Sequence, residues 1–142
     1  MRLFQIIGYH NSGKTTLATY LAEELKKRGL KVGYIKHDPK GKGVTDKKGS
    51  DTFRVKSFTE KTALVSPSHL TMWFMKEFTL KDVLKFFEDC DVVLVEGFKS
   101  EKGFPKILVG NLENDALKGE IVLTIKDKKD FPTALEWILE NS

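Results

Sequence analysis

Nine consecutive residues near the N-terminus carry the densest chemistry in the chain. Gly8-Tyr9-His10-Asn11-Ser12-Gly13-Lys14-Thr15-Thr16 fits G-x-x-x-x-G-K-[ST], the phosphate-binding P-loop pattern. Gly8 and Gly13 let the backbone curl so that the N–H groups of His10, Asn11, Ser12 and their neighbours turn inward toward phosphate oxygens. A helix starting at Lys14 would add its positive dipole end at the same spot. Lys14 supplies a full charge to the β- and γ-phosphates, and the Thr15 hydroxyl is placed to ligate Mg²⁺, with Thr16 next to it in the first turn.

Other residues could complete such a site. Asp91-Val92-Val93-Leu94-Val95-Glu96-Gly97 is an apolar run ending in an acid, as a central buried strand delivers a carboxylate to a sheet edge. Beside a P-loop, Glu96 is placed to hold Mg²⁺ or its water; alone it would be a strand-end acid in solvent. Asp38, just past a second strand, can reach the metal directly or through water. His37 either orients a metal-bound water or makes a local hydrogen bond. Arg54, one of three arginines, either clamps an anion in bidentate fashion or pairs with Asp51. Lys99, Lys102 and Lys106 either meet a phosphorylated ligand near the sheet edge or are simply solvated. Trp73 and Phe74 are either core or a hydrophobic interface.

Positioning these groups requires strands that end together. Leu3–Ile7 reads as a buried strand, and Leu17, Ala18, Leu21, Ala22 and Leu25 recur at helical spacing after the loop. Gly29 suits the C′ position of that helix, and Leu30–Lys36 reads as a second strand. Two strands joined by a crossover helix imply a parallel sheet with helices on its faces. Residues 39–49 are rich in Lys and Gly without periodicity and read as a solvated loop. A short helix opens at Asp51 with Ser50 or Asp51 as cap, Thr62–Val65 reads as a brief strand, and residues 71–78 read as another. Thr79 and Asp82 form a capping box before a helix whose face is Leu80, Val83, Leu84 and Phe87. Further strands are expected at Phe104–Val109 and Ile121–Ile125. A last helix from Asp130, with Pro132 in its first turn, buries Ala134, Leu135, Ile138 and Leu139. The expected fold is α/β, a single P-loop NTPase-like domain over residues 1–142 with a mainly parallel sheet and helices on both faces.

Charge and cysteine content narrow the setting. The net charge is +4, and residues 36–61 alone hold eight Lys/Arg against four acids. A basic segment beside a P-loop suits a phosphate-rich ligand or an acidic partner. It lacks the aromatic platform and motifs of a nucleic-acid interface, so no nucleic acid is expected. No apolar run reaches membrane-span length, and a cytoplasmic protein is expected. Cys90 is the single cysteine, so no internal disulfide can form, and a small buried thiol is expected there.

Several pieces occur in one order: the P-loop through Leu17, then Ile35-Lys36-His37-Asp38, Asp51-Thr52-Phe53-Arg54, Leu94-Val95-Glu96-Gly97-Phe98-Lys99 and Pro105-Lys106-Ile107. Together they resemble the molybdopterin-guanine dinucleotide biosynthesis protein B family, MobB, over about residues 3–109. The resemblance implies a GTP-binding accessory protein with at most slow Mg²⁺-dependent GTPase activity, commonly a homodimer. Its partner would be the MobA-type guanylyltransferase that joins GMP to molybdopterin, with molybdopterin itself a further candidate contact. By the resemblance, Gly8, His10, Asn11, Ser12, Gly13, Lys14, Thr15 and Thr16 hold the nucleotide, Thr15 and Glu96 hold the metal, and Asp38 lies beside it. Arg54 joins them as a candidate phosphate contact, and Glu96 and Asp38 as candidate catalytic groups.

The chain departs from the family pattern at Lys40, where a second histidine is common, and at 57–61, where a small Ala-Gly pair is absent. No Asn-Lys-x-Asp guanine signature is present, so guanine is implied by the resemblance alone. A small-molecule P-loop kinase is the alternative, weakened by the scarcity of arginines for a phosphate lid.

Overall fold

The computed structural model describes residues 1–111 and 120–142, and within them the chain forms two compact units. The larger comprises Met1–His37 and Val83–Ser142, and the smaller is Asp38–Asp82.

The larger unit is built on five parallel strands: β1 (Arg2–Ile7), β2 (Val32–Lys36), β5 (Val92–Glu96), β6 (Lys106–Val109) and β7 (Ile121–Ile125). Their order across the sheet is β2-β5-β1-β6-β7. β1 and β5 are central, which is why both read as nearly unbroken apolar runs and why Val92–Glu96 is buried throughout. Side-chain alternation splits the sheet into two faces. Phe4, Ile6, Val92, Leu94, Ile107 and Val109 turn to one face, where they pack with Leu17, Leu21 and Leu25 of helix α1 (Lys14–Lys27) and Ala134, Leu135 and Ile138 of helix α4 (Phe131–Glu140). Phe4 meets Trp137 edge-on at 5.6 Å in the same cluster. Truncating any of the three α1 leucines, all fully buried, would cost about 2–5 kcal/mol.

Helix α1 ends as its sequence implies. The Gly29 N–H bonds Lys26 O and the Leu30 N–H bonds Leu25 O, the paired closure of a Schellman turn. On the opposite face of the sheet, Gly33 packs so tightly that a Cβ there would lie 2.5 Å from the Phe87 ring and 3.1 Å from Cys90 Sγ. Phe87 ends a 3-10 turn, Lys85–Phe87, that follows helix α3 (Leu80–Leu84). Helical structure therefore covers both faces, and the fold is α/β and P-loop NTPase-like. The Cys90 thiol is half-buried, and that burial pushes its pKa up.

The smaller unit holds helix α2 (Asp51–Lys56) and an antiparallel hairpin of β3 (Lys61–Val65) and β4 (Leu70–Phe74). Ser50 caps α2 by accepting from the Phe53 N–H. Lys56 pairs with Asp46 at 3.3 Å and lies over the rings of Phe53 and Trp73.

Three expectations need correction. β4 stops at Phe74 rather than running to Phe78: past the Lys61–Phe74 pair one further bond, Met75 N–H to Glu60 O at 3.0 Å, ends the pairing, and Phe78 folds edge-on against Phe74 at 5.5 Å. The helix after Thr79 begins with the expected reciprocal bonds between Thr79 and Asp82, but it is five residues long. It tightens into the 3-10 turn, and of its expected apolar face only Leu80 is fully buried. Leu139 is 37% exposed, since the buried stripe of α4 is centred on Ala134, Leu135 and Ile138 and residue 139 falls at its margin.

Candidate nucleotide-binding site

The strand–loop–helix passage from β1 to α1 has the shape its sequence demands. Gly8 lies at φ +154°, and a Cβ there would meet Val109 O at 2.5 Å and Ser12 Oγ at 2.8 Å. The loop therefore runs against the end of β6 at a distance only glycine allows. Gly13, at φ +102°, is the residue before α1, and the helix has no side-chain cap and no acid in its first turn. Its N-terminal amides and positive dipole end thus remain open for an anion. Asn11 is one of two non-glycine residues with positive φ among those described, at +59°, and the turn is closed by the Ser12 N–H on Tyr9 O at 3.1 Å.

Side chains converge on this turn. Lys14 Nζ donates to the carbonyls of Gly8 at 2.9 Å and Tyr9 at 2.6 Å, so its ammonium arches over the loop. Burial holds its pKa below the ordinary value; Glu96 opposes that shift, while Lys36 and Lys99 add to it. The Thr15 hydroxyl donates to Glu96 Oε1 at 2.7 Å. The Tyr34 hydroxyl, from β2, donates to Glu96 Oε2. Burial first, then the hydrogen bond to Glu96 and its charge, push the Tyr34 pKa well above its ordinary value, while a contact with Thr15 opposes the shift. Glu96 is 3% exposed, so both oxygens of a buried carboxylate are held by hydroxyl donors.

Behind it, Gln5 Nε2 reaches the carbonyls of Gly97 at 3.2 Å and Phe98 at 2.9 Å. That turn is further held by a stack of His37 on Phe98, with ring centroids 4.1 Å apart and an angle of 12°.

A Mg²⁺–triphosphate fits these residues. Ser12 Oγ is buried without a hydrogen-bond partner, the loop is closed to any Cβ at Gly8, and the helix start carries no cap of its own. Thr15 and Glu96 present two hard oxygen donors side by side, which suits a small divalent cation that keeps most of its water. Among the described residues no group of three or more His, Cys, Asp or Glu could form a protein-only cage. When bound, the metal would supply charge neutralisation between phosphate oxygens. The chain's part is to hold the phosphates through the loop amides and Lys14.

The structure thus brings together Gly8, His10, Asn11, Ser12, Gly13, Lys14, Thr15, Thr16 and Glu96. Asp38 and Arg54 belong to the smaller unit. The Asp38 carboxylate accepts from the Lys42 N–H at 3.1 Å and the Gly43 N–H at 2.6 Å. Arg54 pairs with Asp51 at 2.5 Å, the alternative its spacing allowed.

Lys106 does not serve as a ligand group. It is fully buried and bonded to Glu120 and the Phe104 carbonyl, because β6 is an inner strand and its first residue turns inward beside Gln5. Tyr34 and Gln5 were not among the expected site residues. The alternation of β2 with its neighbour β5 puts Tyr34 on the face of Glu96. A lone Gln inside an apolar strand is the one sequence signal that pointed to Gln5.

The sequence model for Molybdopterin guanine dinucleotide synthesis protein B, MobB, matches residues 3–128. The chain belongs to the MobB family. A Haemophilus influenzae protein named as a molybdopterin-guanine dinucleotide biosynthesis adapter protein is 36% identical over 127 residues, covering 78% of this chain and 64% of its own length. A Methanocaldococcus jannaschii relative is 36% identical over 114 residues, covering 77% of this chain and 47% of its own length. The chain therefore spans about half to two thirds of these two MobB relatives. Among solved structures, Bacillus subtilis MobB superposes with a TM-score of 0.77 at 24% identity, over 99% of this chain and 97% of that one. A MobB homologue from Bacillus stearothermophilus gives 0.73 at 23% identity with the same coverage of both chains. At these identities the likeness is one of MobB fold.

Proposed function

We propose that this MobB-family chain binds Mg²⁺–GTP at the P-loop and serves as an adapter in molybdopterin-guanine dinucleotide biosynthesis, presenting the nucleotide to the MobA-type guanylyltransferase. The observation that carries the nucleotide part is the 2.7 Å contact of Thr15 with Glu96, beside an uncapped helix start and the Lys14 ammonium. Two metal-binding oxygens, one phosphate-binding cation and an open set of amides are the parts a P-loop nucleotide site needs. The adapter part and the choice of guanine come from the family and from the name of the Haemophilus relative.

Hydrolysis is proposed to be slow. Of the three arginines, Arg28 pairs with Glu24, Arg54 pairs with Asp51, and Arg2 stands at the opposite end of β1 from the loop. Arg28 and Arg54 are thus already paired and Arg2 is remote from the loop, and the one glutamine is committed to the Gly97–Phe98 turn. The same scarcity speaks against the small-molecule kinase alternative. Self-association is proposed through the hairpin of the smaller unit, where Leu64, Leu70 and Met72 are each more than 40% exposed. No helix of the described residues is long and apolar enough to cross a membrane, and the proposed place of action is the cytoplasm.

Calorimetric titration with Mg²⁺–GTP and Mg²⁺–ATP, followed by a molybdopterin-loaded guanylyltransferase, tests the reading. Tighter binding of GTP and a complex with the transferase are expected. Equal affinities for the two nucleotides would remove the guanine claim, and no complex would remove the adapter claim.

A further inference from the structure

Two lysines, Lys36 and Lys99, stand at the rim of the site. Lys36 is the last residue of β2 and pairs in register with Glu96. Partners in a parallel pair turn their side chains to the same face, and Tyr34, two residues earlier on that face, already touches the Glu96 carboxylate. The Lys36 stem therefore leaves the sheet on the Thr15 and Glu96 side. Lys99 lies three residues beyond Glu96, after a turn that the structure holds from several directions. Gln5 bonds both of its carbonyls, Phe98 sits at φ +52° under the His37 ring, and the Glu101 N–H returns to Phe98 O at 2.8 Å.

Both lysines are exposed, and among the described residues neither forms an ion pair. The charges of both act on Lys14. Lys14, Lys36 by its register with Glu96, and Lys99 by its place just beyond the held turn thus bring three cations to the C-terminal edge of the sheet, where α/β folds receive ligands. Holding unpaired like charges together is unfavourable until an anion joins them. Lys36 leaves the sheet on the side of Glu96, the proposed metal side, where the terminal phosphate of a P-loop ligand lies.

We propose that Lys36 and Lys99 form a second anion position that takes the terminal phosphoryl group, so that the site distinguishes a nucleoside triphosphate from a diphosphate. The inference rests on the proposed nucleotide binding and deepens it. The loop amides hold phosphates common to both nucleotides and Lys14 spans the β- and γ-phosphates, whereas Lys36 and Lys99 act only on the phosphoryl group that the triphosphate adds.

Calorimetry with Mg²⁺–GTP and Mg²⁺–GDP at low salt, on the full chain and on Lys36→Met, Lys99→Met and the double variant, tests this. Both side chains are exposed, so unchanged thermal melts are expected. Each single variant should weaken GTP by about tenfold, the effect of losing one charge-assisted contact, while GDP affinity changes less than about threefold. Equal losses for GDP and GTP, or no loss for either, would overturn the assignment. Failure of the parent chain to bind either nucleotide would overturn the nucleotide reading and this inference with it. Normal GDP binding with an unselective GTP response would overturn this inference alone.

Discussion

Thr15, in the first turn of α1, donates its hydroxyl to Glu96, the last residue of β5, across a sequence separation of 81 residues. The contact ties the P-loop to strand β5 and brings together the two oxygens proposed to hold the metal. Glu96→Gln keeps the shape but removes the charge. It should weaken the Mg²⁺-dependent part of GTP binding while leaving binding through the loop amides. Titration with and without Mg²⁺ reads the difference, and an unchanged metal dependence would exclude Glu96. Single-turnover hydrolysis in the parent chain should proceed at roughly 10⁻² per second or below, the range of unaided GTPases of this architecture. A rate above about one per second without a partner would contradict the adapter role.

In the ligand-free fold burial works against the charge of Lys14, whose ammonium bonds the Gly8 and Tyr9 carbonyls of the loop. Lys14→Ala should therefore abolish most nucleotide affinity and leave the melting temperature unchanged or slightly raised. A large fall in melting temperature would show that its bonds to the Gly8 and Tyr9 carbonyls hold the loop together.

Tyr34→Phe removes one of the two donors to Glu96, together with the hydroxyl's contact with Thr15. Losing one such bond is worth about 0.5–1.5 kcal/mol, so Mg²⁺ affinity in the GTP complex should fall by about two- to tenfold, less than in Glu96→Gln. An Mg²⁺ titration identical to the parent would show that Thr15 alone orients the carboxylate.

The Lys106–Glu120 pair makes a stability prediction with a pH sign. Lys106 is fully buried, and its bond to Glu120, with the Gly103 N–H second, holds the Glu120 carboxyl below its ordinary value of 4.5. A depressed carboxyl pKa contributes stability above the unfolded value, and that contribution is lost as pH falls through the folded one. The melting temperature should therefore drop below about pH 4.5, and Glu120→Gln should flatten that acid limb. Glu120→Ala, which leaves a buried ammonium unpaired, should destabilise more than Lys106→Met, which removes the charge. The reverse order would mean that Lys106 is not desolvated.

Most of the sheet was legible because parallel strands buried on both faces leave uninterrupted apolar runs, as at 92–95, and the loop was legible because its glycines are sterically compelled. The motif residues Gly8 to Thr16 and Glu96 were found for the same reason. Tyr34 escaped because its role depends on which strand lies beside β2, and strand order is not written in local pattern. Lys106 misled for a related reason: a lysine reads as solvated unless its strand is known to be internal and its partner, 14 residues away, is known to turn back to it. Leu139 and the length of β4 were misplaced by a residue or a few, where a face or a ladder runs out rather than where the chain changes character.

The order of strands also sets when the site can exist. β1 is made first, yet one of its neighbours is β5, whose pairing joins Arg2 to Val92, and the other is β6. Neither is present until some ninety residues later. At ribosomal speeds of about 5–20 residues per second, the P-loop sequence waits roughly 5–20 seconds for the strand that carries Glu96. Long-range parallel pairing of this kind is intrinsically slow to form. The proposed nucleotide site therefore cannot assemble from β1 and its loop alone, and binding there would be a late report that the central strands have joined.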